Sequence, residues 1–145
     1  GEDTLSLHDA LPIYLPAAAD GRPGLARANL ADGKPKLLNV FASWCVPCAA
    51  ESVQLAQLAA AGVEIDGIAI RDHKADLAGF LARNGNPYAR IGSDDVSAVQ
   101  LAIGSSGVPE SFVIDGKGVI RHQHIGVIMP GDVPKLLKKL QEAGR

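Results

Sequence analysis

Only two of the 145 residues are cysteine, too few for the dense disulfide framework that staples a small secreted domain. Neither sign of charge is in excess: 14 Lys and Arg stand against 16 Asp and Glu, a formal net charge of −2. No run of Lys or Arg builds the positive field that nucleic acid needs, so no nucleic-acid partner is expected. Long apolar runs are absent too, and none approaches the ~20 residues of a membrane span. The opening Gly1-Glu2-Asp3 lacks the basic start and apolar stretch of a signal peptide, but a chain that begins on Gly1 says nothing on that point. What is left, 47% apolar and 21% charged residues, reads as one globular domain long enough to bury a core.

Along the chain, residues 1–20 carry Pro12, Pro16 and a run of alanines and are expected to be a disordered or non-native lead-in; the domain proper is expected over residues 21–145. Gly33-Lys34-Pro35 marks a turn. The run KLLNVFAS, residues 36–43, predicts a buried strand. A helix is expected from Cys45, with Pro47 tolerated in its first turn and Gly62 as its stop. Residues 63–70 read as a strand and residues 74–84 as a second helix. Residues 94–103 read as a third helix, with Ser93 or Asp94 as its cap. Residues 111–115 and 119–125 predict a hairpin around Gly116-Lys117-Gly118, and residues 130–142 a closing helix with Val133, Leu136, Leu137 and Leu140 as its buried stripe. The order β-α-β-α-α-β-β-α implies an α/β fold, a mixed central sheet with helices on both faces.

Both cysteines fall within "FASWCVPCAAE", residues 41–51, and Cys45 follows the only tryptophan, Trp44. The pair admits three readings: a redox disulfide, half of a metal site, or a structural staple. Positions i and i+3 of a helix share a face, which brings their α-carbons into the ~4.4–6.8 Å window of a disulfide. A helix N-terminus also favours a thiolate on Cys45, through its free N–H groups and the positive end of its dipole. Cys45 is then the nucleophile, since the thiolate is the attacking species, and Cys48 resolves the mixed disulfide. Trp44 offers a flat apolar surface where a partner chain can lie. A staple closing so short a loop would constrain the unfolded chain little. A zinc site needs two more ligands than the cysteines supply, and His122 and His124, two apart on a strand, could join one with the pair. Gly107-Val108-Pro109-Glu110 precedes a strand. A cis peptide before Pro109 would expose the Val108 backbone to an extended substrate, although chain statistics alone favour trans.

The segments "LLNVFASWCVPCAAE", "GIAIRD", "FLARNGNPYARIG" and "GVPESFVIDGKGVIRHQHIG" occur in an order and spacing that resembles the DsbE/CcmG thiol:disulfide interchange proteins of cytochrome c-type biogenesis, over roughly residues 20–142. The resemblance implies a thioredoxin fold. It implies a redox-active centre with Cys45 as nucleophile and Cys48 as resolving thiol, and with Trp44, Val46 and Pro47 completing the motif. It further implies a cis Pro109 with Val108 as the strand-pairing residue, and acidic residues Glu51 and Glu110 near the site. Asn39 stands where general thioredoxins carry a buried aspartate. An amide there removes a proton acceptor, so Glu51 or Glu110 is expected to take that part, Glu51 being otherwise a solvated helix residue. The smaller, more polar Ile103-Gly104-Ser105-Ser106 departs from the family pattern and bears on the groove facing the partner. Residues 1–13 match nothing expected ahead of such a domain.

By the same resemblance the protein is a periplasmic, inner-membrane-anchored protein-disulfide reductase, the anchor being absent from this chain. Its substrate would be apocytochrome c or thiol proteins of the maturation complex, and its electrons would come from a membrane thiol reductase of DsbD/CcdA type. No cofactor or metal is expected, and a monomer is. Two alternatives keep different chemistry open: a general periplasmic thioredoxin-like reductase or peroxide-reducing redoxin, and a non-enzymatic Cys/His metal chaperone.

Overall fold

The computed structural model describes residues 14–145. Strand β1 (Tyr14–Leu15) pairs antiparallel with β2 (Leu25–Ala26), and a 3-10 helix (Arg27–Ala31) follows. The sheet proper holds β3 (Lys36–Phe41), β4 (Ile65–Ile70), β5 (Arg90–Asp94), β6 (Glu110–Ile114) and β7 (Ile120–Ile125). Helices α1 (Val46–Ala50) and α2 (Ser52–Ala60) link β3 to β4, and α3 (Lys74–Asn84) links β4 to β5. Helix α4 (Ala98–Ala102) precedes β6, and α5 (Asp132–Ala143) closes the chain.

The five strands run in the order β5-β4-β3-β6-β7. β3, β4 and β5 are parallel, and β6 and β7 are antiparallel to their neighbours. The sheet is therefore mixed, as expected. Every residue of β3, β4 and β6 is buried, so both faces of its middle are covered, and α5 packs against α2 and β6. Phe41 at the end of β3 lies between Phe80 of α3 and Tyr88, with ring centroids 6.0 and 4.6 Å away. Gly67 makes room for them, since a Cβ there would come within 2.9 Å of both Phe41 and Tyr88.

Three expectations are corrected. Residues 14–20 belong to the packed structure. Leu15, Ala18 and Ala19 are buried, Ser93 N–H donates to Pro16 O at 2.8 Å, and Ala18 N–H donates to Ile91 O at 3.0 Å. This segment covers the free edge of β5, an exposed ladder that needs cover. A Cβ on Gly92 would meet Leu15 Cβ at 2.8 Å, which is how closely the two are stacked. The rest of the expected lead-in, residues 1–13, lies outside the described residues. Second, Arg90–Asp94 is a strand and the helix after it is only Ala98–Ala102, where one longer helix from residue 94 was expected. With a single apolar residue, R-I-G-S-D has no strand pattern of its own; pairing with β4 imposes it. Asp94 nevertheless accepts the amides of Val99 and Gln100 at 3.2 and 2.9 Å, holding the start of α4. Third, the helix expected through residues 45–62 is broken at Glu51, which has ψ near 3° and sends its side chain inward.

Candidate functional site

β3 ends at Phe41, and a short turn delivers Cys45 to the N-cap of α1. Cys45 has extended backbone angles (φ −98°, ψ 106°) and its Sγ accepts the amide of Cys48 at 3.3 Å. Pro47 sits in the first turn, where its missing N–H costs nothing. Cys45 and Cys48 are joined by a disulfide with their α-carbons 5.3 Å apart, inside the window that the helical spacing predicts. Both are buried in this oxidised form, at 5% and 3% exposure. The residues on either side of Cys45 are apolar and open to solvent: Trp44 is 51% exposed and Val46 82%.

The turn before Cys45 is braced from the end of β4. Asp72 accepts both the amide and the hydroxyl of Ser43. Trp44 donates its indole N–H to Arg71 O at 3.1 Å, and the Arg71 guanidinium lies 5.1 Å from the centre of the indole ring. Sequence reading missed both braces. "GIAIRD" carries no local sign of them, because they act across 27 and 29 residues.

A buried polar network centres on Glu51, the residue that ends the cysteine-bearing helix α1. Glu51 is fully buried, not solvated as the bland reading of a helix residue had it. Its Oε2 accepts Asn39 Nδ2 at 2.9 Å and its Oε1 accepts the amide of Ile128 at 3.0 Å. Asn39 also donates to Ser111 Oγ at 3.0 Å and accepts the Tyr88 hydroxyl at 2.7 Å. Burial pushes the Glu51 carboxyl above the ordinary carboxylate range, against the opposing pull of the Ile128 amide, Asn39 and the His124 ring. Tyr88, wholly enclosed, is driven well above the usual phenol value by burial and then by the Glu51 charge. Ser111 and Tyr88 were not anticipated. Alternation along β6 puts Ser111 two residues after Pro109 and, by register, directly opposite Asn39.

The Val108–Pro109 peptide is cis, as the resemblance implied and chain statistics did not. β3 and β6 are antiparallel with Val40 opposite Glu110, so Pro109 falls at the β3 end that leads to Cys45. The site residues from three separate stretches thus share one end of the sheet. Gly126 N–H takes the Pro109 carbonyl at 3.0 Å, while no backbone hydrogen bond engages Val108 among the described residues. Glu110 is buried and committed to this loop. Its Oε1 accepts the amides of Ser106 and Gly107, both at 3.1 Å, and its Oε2 accepts Gln123 Nε2 at 2.7 Å. In the divergent stretch before it, Ser105 is buried and bonds the Gly107 carbonyl at 3.1 Å.

His122 and His124 do share a face of β7, but they line a hollow of about 260 Å³ with Asp132, Lys135 and Lys139, not with the cysteines. Among the described residues no group of three His, Cys, Asp or Glu is placed to hold a metal ion. No helix among them is long and apolar enough to cross a membrane. The larger hollows, such as one of about 670 Å³ bounded by Gly33, Asp115, Arg121 and Arg145, are lined by other residues. An open apolar surface around a disulfide suits another macromolecule better than an enclosed small molecule.

Comparison with known proteins agrees with this geometry. The Redoxin family matches residues 14–140. The thiol:disulfide interchange protein DsbE of Escherichia coli (strain K12) is 36% identical over 148 residues, covering 98% of this chain and 80% of that protein. The thiol:disulfide interchange protein HelX of Rhodobacter capsulatus is 42% identical over 113 residues, 78% of this chain and 64% of that one. In fold, the crystal structure of a DsbE-type protein from Chlorobium tepidum superposes with a TM-score of 0.76 at 24% identity, covering 94% of this chain and 95% of that one. The chain therefore belongs to the redoxin family, and it is a thiol–disulfide oxidoreductase of the thioredoxin fold whose relatives are the DsbE-type interchange proteins.

Proposed function

We propose that the protein reduces disulfides of apocytochrome c, or of thiol proteins in its maturation, with Cys45 as nucleophile and Cys48 as resolving thiol. The observation that carries this is a disulfide-linked pair at a helix tip, flanked by exposed apolar residues, with a buried carboxylate at the end of the same short helix. The Cys45 thiolate attacks one sulfur of the partner disulfide; a Cys45–partner bond forms, and the other partner sulfur leaves as a thiolate and takes a proton. Cys48 then gives its proton to Glu51 and attacks Cys45 Sγ. The mixed disulfide breaks, the second partner thiolate leaves and is protonated, and two electrons have passed to the partner. The chain is left as the disulfide described above. A membrane thiol reductase of DsbD/CcdA type would restore the dithiol by the same exchange in reverse.

Glu51 is the better placed of the two acids because it ends α1, three residues after Cys48, whereas Glu110 is tied into the Pro109 loop through the Ser106 and Gly107 amides and Gln123. Asn39 orients Glu51 in place of a second carboxylate. The Val108 backbone, with no backbone hydrogen bond among the described residues, suits pairing with an extended substrate strand over Trp44, Val46 and Pro47. We assign the protein to the periplasm, tethered to the inner membrane in its native form and acting as a monomer. The breadth of the Redoxin match favours one second reading, a general thioredoxin-like or peroxide-reducing reductase.

Expressing Cys48→Ser in cells that lack the protein separates the two readings. Mixed disulfides should trap on Cys45 and contain apocytochrome c or its maturation thiols, and the deletion strain should lose holocytochrome c. A deletion strain with normal holocytochrome c, and a trapped set without those proteins, would leave the general reductase.

A further inference from the structure

Three residues between β7 and α5 are held by side chains from several elements at once. The His124 ring Nε2 lies 3.0 Å from Val127 O and donates to it. The Ile128 amide donates to Glu51 Oε1 at 3.0 Å, and Gln54 Nε2 donates to Ile128 O at 2.7 Å. The Met129 amide donates to Asp132 Oδ2 at 2.8 Å. Glu51 and Gln54, three residues apart across the α1–α2 junction, therefore grip the N–H and the C=O of the same residue. Gln54 is 7% exposed and the Ile128 side chain is fully buried, so neither grip competes freely with water.

One hydrogen bond fixes a distance but leaves the donor free to tilt; a second bond on the other side of the residue fixes its direction. We propose that Gln54 and His124 are positioning residues for Glu51, holding the Ile128 and Val127 carbonyls so that the Ile128 N–H stays aimed at the carboxylate. The inference rests on the reading of Glu51 as acceptor of the Cys48 proton. An N–H pointed at a carboxylate favours its ionised form, and burial opposes it. The other titratable groups that face this assembly are Tyr88 from the sheet side, His124 itself, and Asp132 from α5, whose carboxylate is 3.7 Å from the His124 ring. His122, Lys135, Lys138, Lys139 and Glu142 line the same hollow. Losing either grip lets the Ile128 amide turn away, so Glu51 should hold its proton to higher pH and resolution should fail sooner on acidification.

The test is the pH dependence of glutathione release from the mixed disulfide of Cys45 with glutathione, in the full chain. Here Cys48 attacks Cys45 Sγ and expels the glutathione thiolate. Gln54→Leu and His124→Phe should move the acid limb upward by roughly half to one pH unit, slowing release about threefold to tenfold on the acid limb while keeping the alkaline plateau. His124→Gln returns a donor at the Nε2 position without the ring's charge and should restore most of the shift. Unshifted acid limbs in both Gln54→Leu and His124→Phe, or slowing by one factor at every pH, would overturn the inference. Glu51→Gln separates this from the reading beneath it. If that variant keeps the parent acid limb, Glu51 is not the acceptor. If it flattens the limb while the Gln54 and His124 variants leave it in place, only the positioning role is lost. Should Gln54→Leu fail to fold, the His124→Phe and His124→Gln pair decides alone.

Discussion

Glu51 and Asp66 are both carboxylates with no exposure to solvent, and the protein treats them in opposite ways. Glu51 has a donor on each oxygen, Asn39 on one and Ile128 on the other. Among the described residues, neither oxygen of Asp66 has a hydrogen-bond donor. Glu51, at the end of the cysteine-bearing helix, reaches the face of β3 that carries Asn39. Asp66 is in register with Leu38, so strand alternation puts it on the other face, among charges gathered at the far end of the sheet. There Lys36 is fully buried and held by Asp32 at 2.9 Å, Glu64 at 3.0 Å and the Asn29 carbonyl at 2.7 Å. Burial, and then the nearby Glu64, push the Asp66 carboxyl up to about 7. A buried carboxylate whose oxygens are matched can serve chemistry at neutral pH. One without donors stores a pH-dependent destabilisation and serves no exchange.

The comparison sharpens most at Asp66. Its folded value near 7 is above the unfolded value near 3.8, so the stability of the protonated form is complete below pH 3.8 and is lost as pH rises towards 7. A shift of that size corresponds to an upper bound on the order of 4 kcal/mol. Asp66→Asn should remove that slope and raise stability at pH 8 by up to this amount, with little change at pH 4 and no change in glutathione-release kinetics. Urea unfolding at the two pH values measures it, and an unchanged slope would refute the account. Next in size, Lys36→Met leaves the surrounding carboxylates without their cation and should cost about 3 kcal/mol at pH 8. The loss should shrink at pH 5, where Asp66 carries its proton; equal losses at both would show that the two groups do not interact.

At the redox end the expected order reverses, with rate moving more than stability. Glu51→Gln should slow resolution of the mixed disulfide at pH 7 by about tenfold or more while changing stability by about 1 kcal/mol, because its amide meets the Asn39 donor where a carboxylate oxygen was. A variant that loses stability and keeps its rate would break the comparison. Smallest is Ser111→Ala, which leaves one Asn39 donor proton without an acceptor and should cost about 1 kcal/mol by thermal or urea unfolding.

What could be read in advance differs between these regions for a physical reason. The cysteine spacing, the apolar run of β3 and the stripe of α5 act between residues a few positions apart, and such periodicities are written in the chain. Arg90–Asp94 was missed because its extended form comes from pairing with β4, and Tyr14–Ala19 because the edge it covers does not exist until β5 is in place. Glu51 had two readings of equal standing in the sequence, an exposed helix residue and an acid near the site. Contacts with Asn39, 12 residues back, and Ile128, 77 residues on, made it buried.

By itself, then, the sequence determined that two cysteines would meet at the tip of a helix after a buried strand, since that depends only on the 3.6-residue turn and the length of a disulfide. Which carboxylate would be matched with donors and which left without them was decided by tertiary structure alone. Hydrogen-bond partners for a buried group come from whatever strand, loop or helix is folded against it, and for Glu51 those are a strand before it and a loop far after it in the chain.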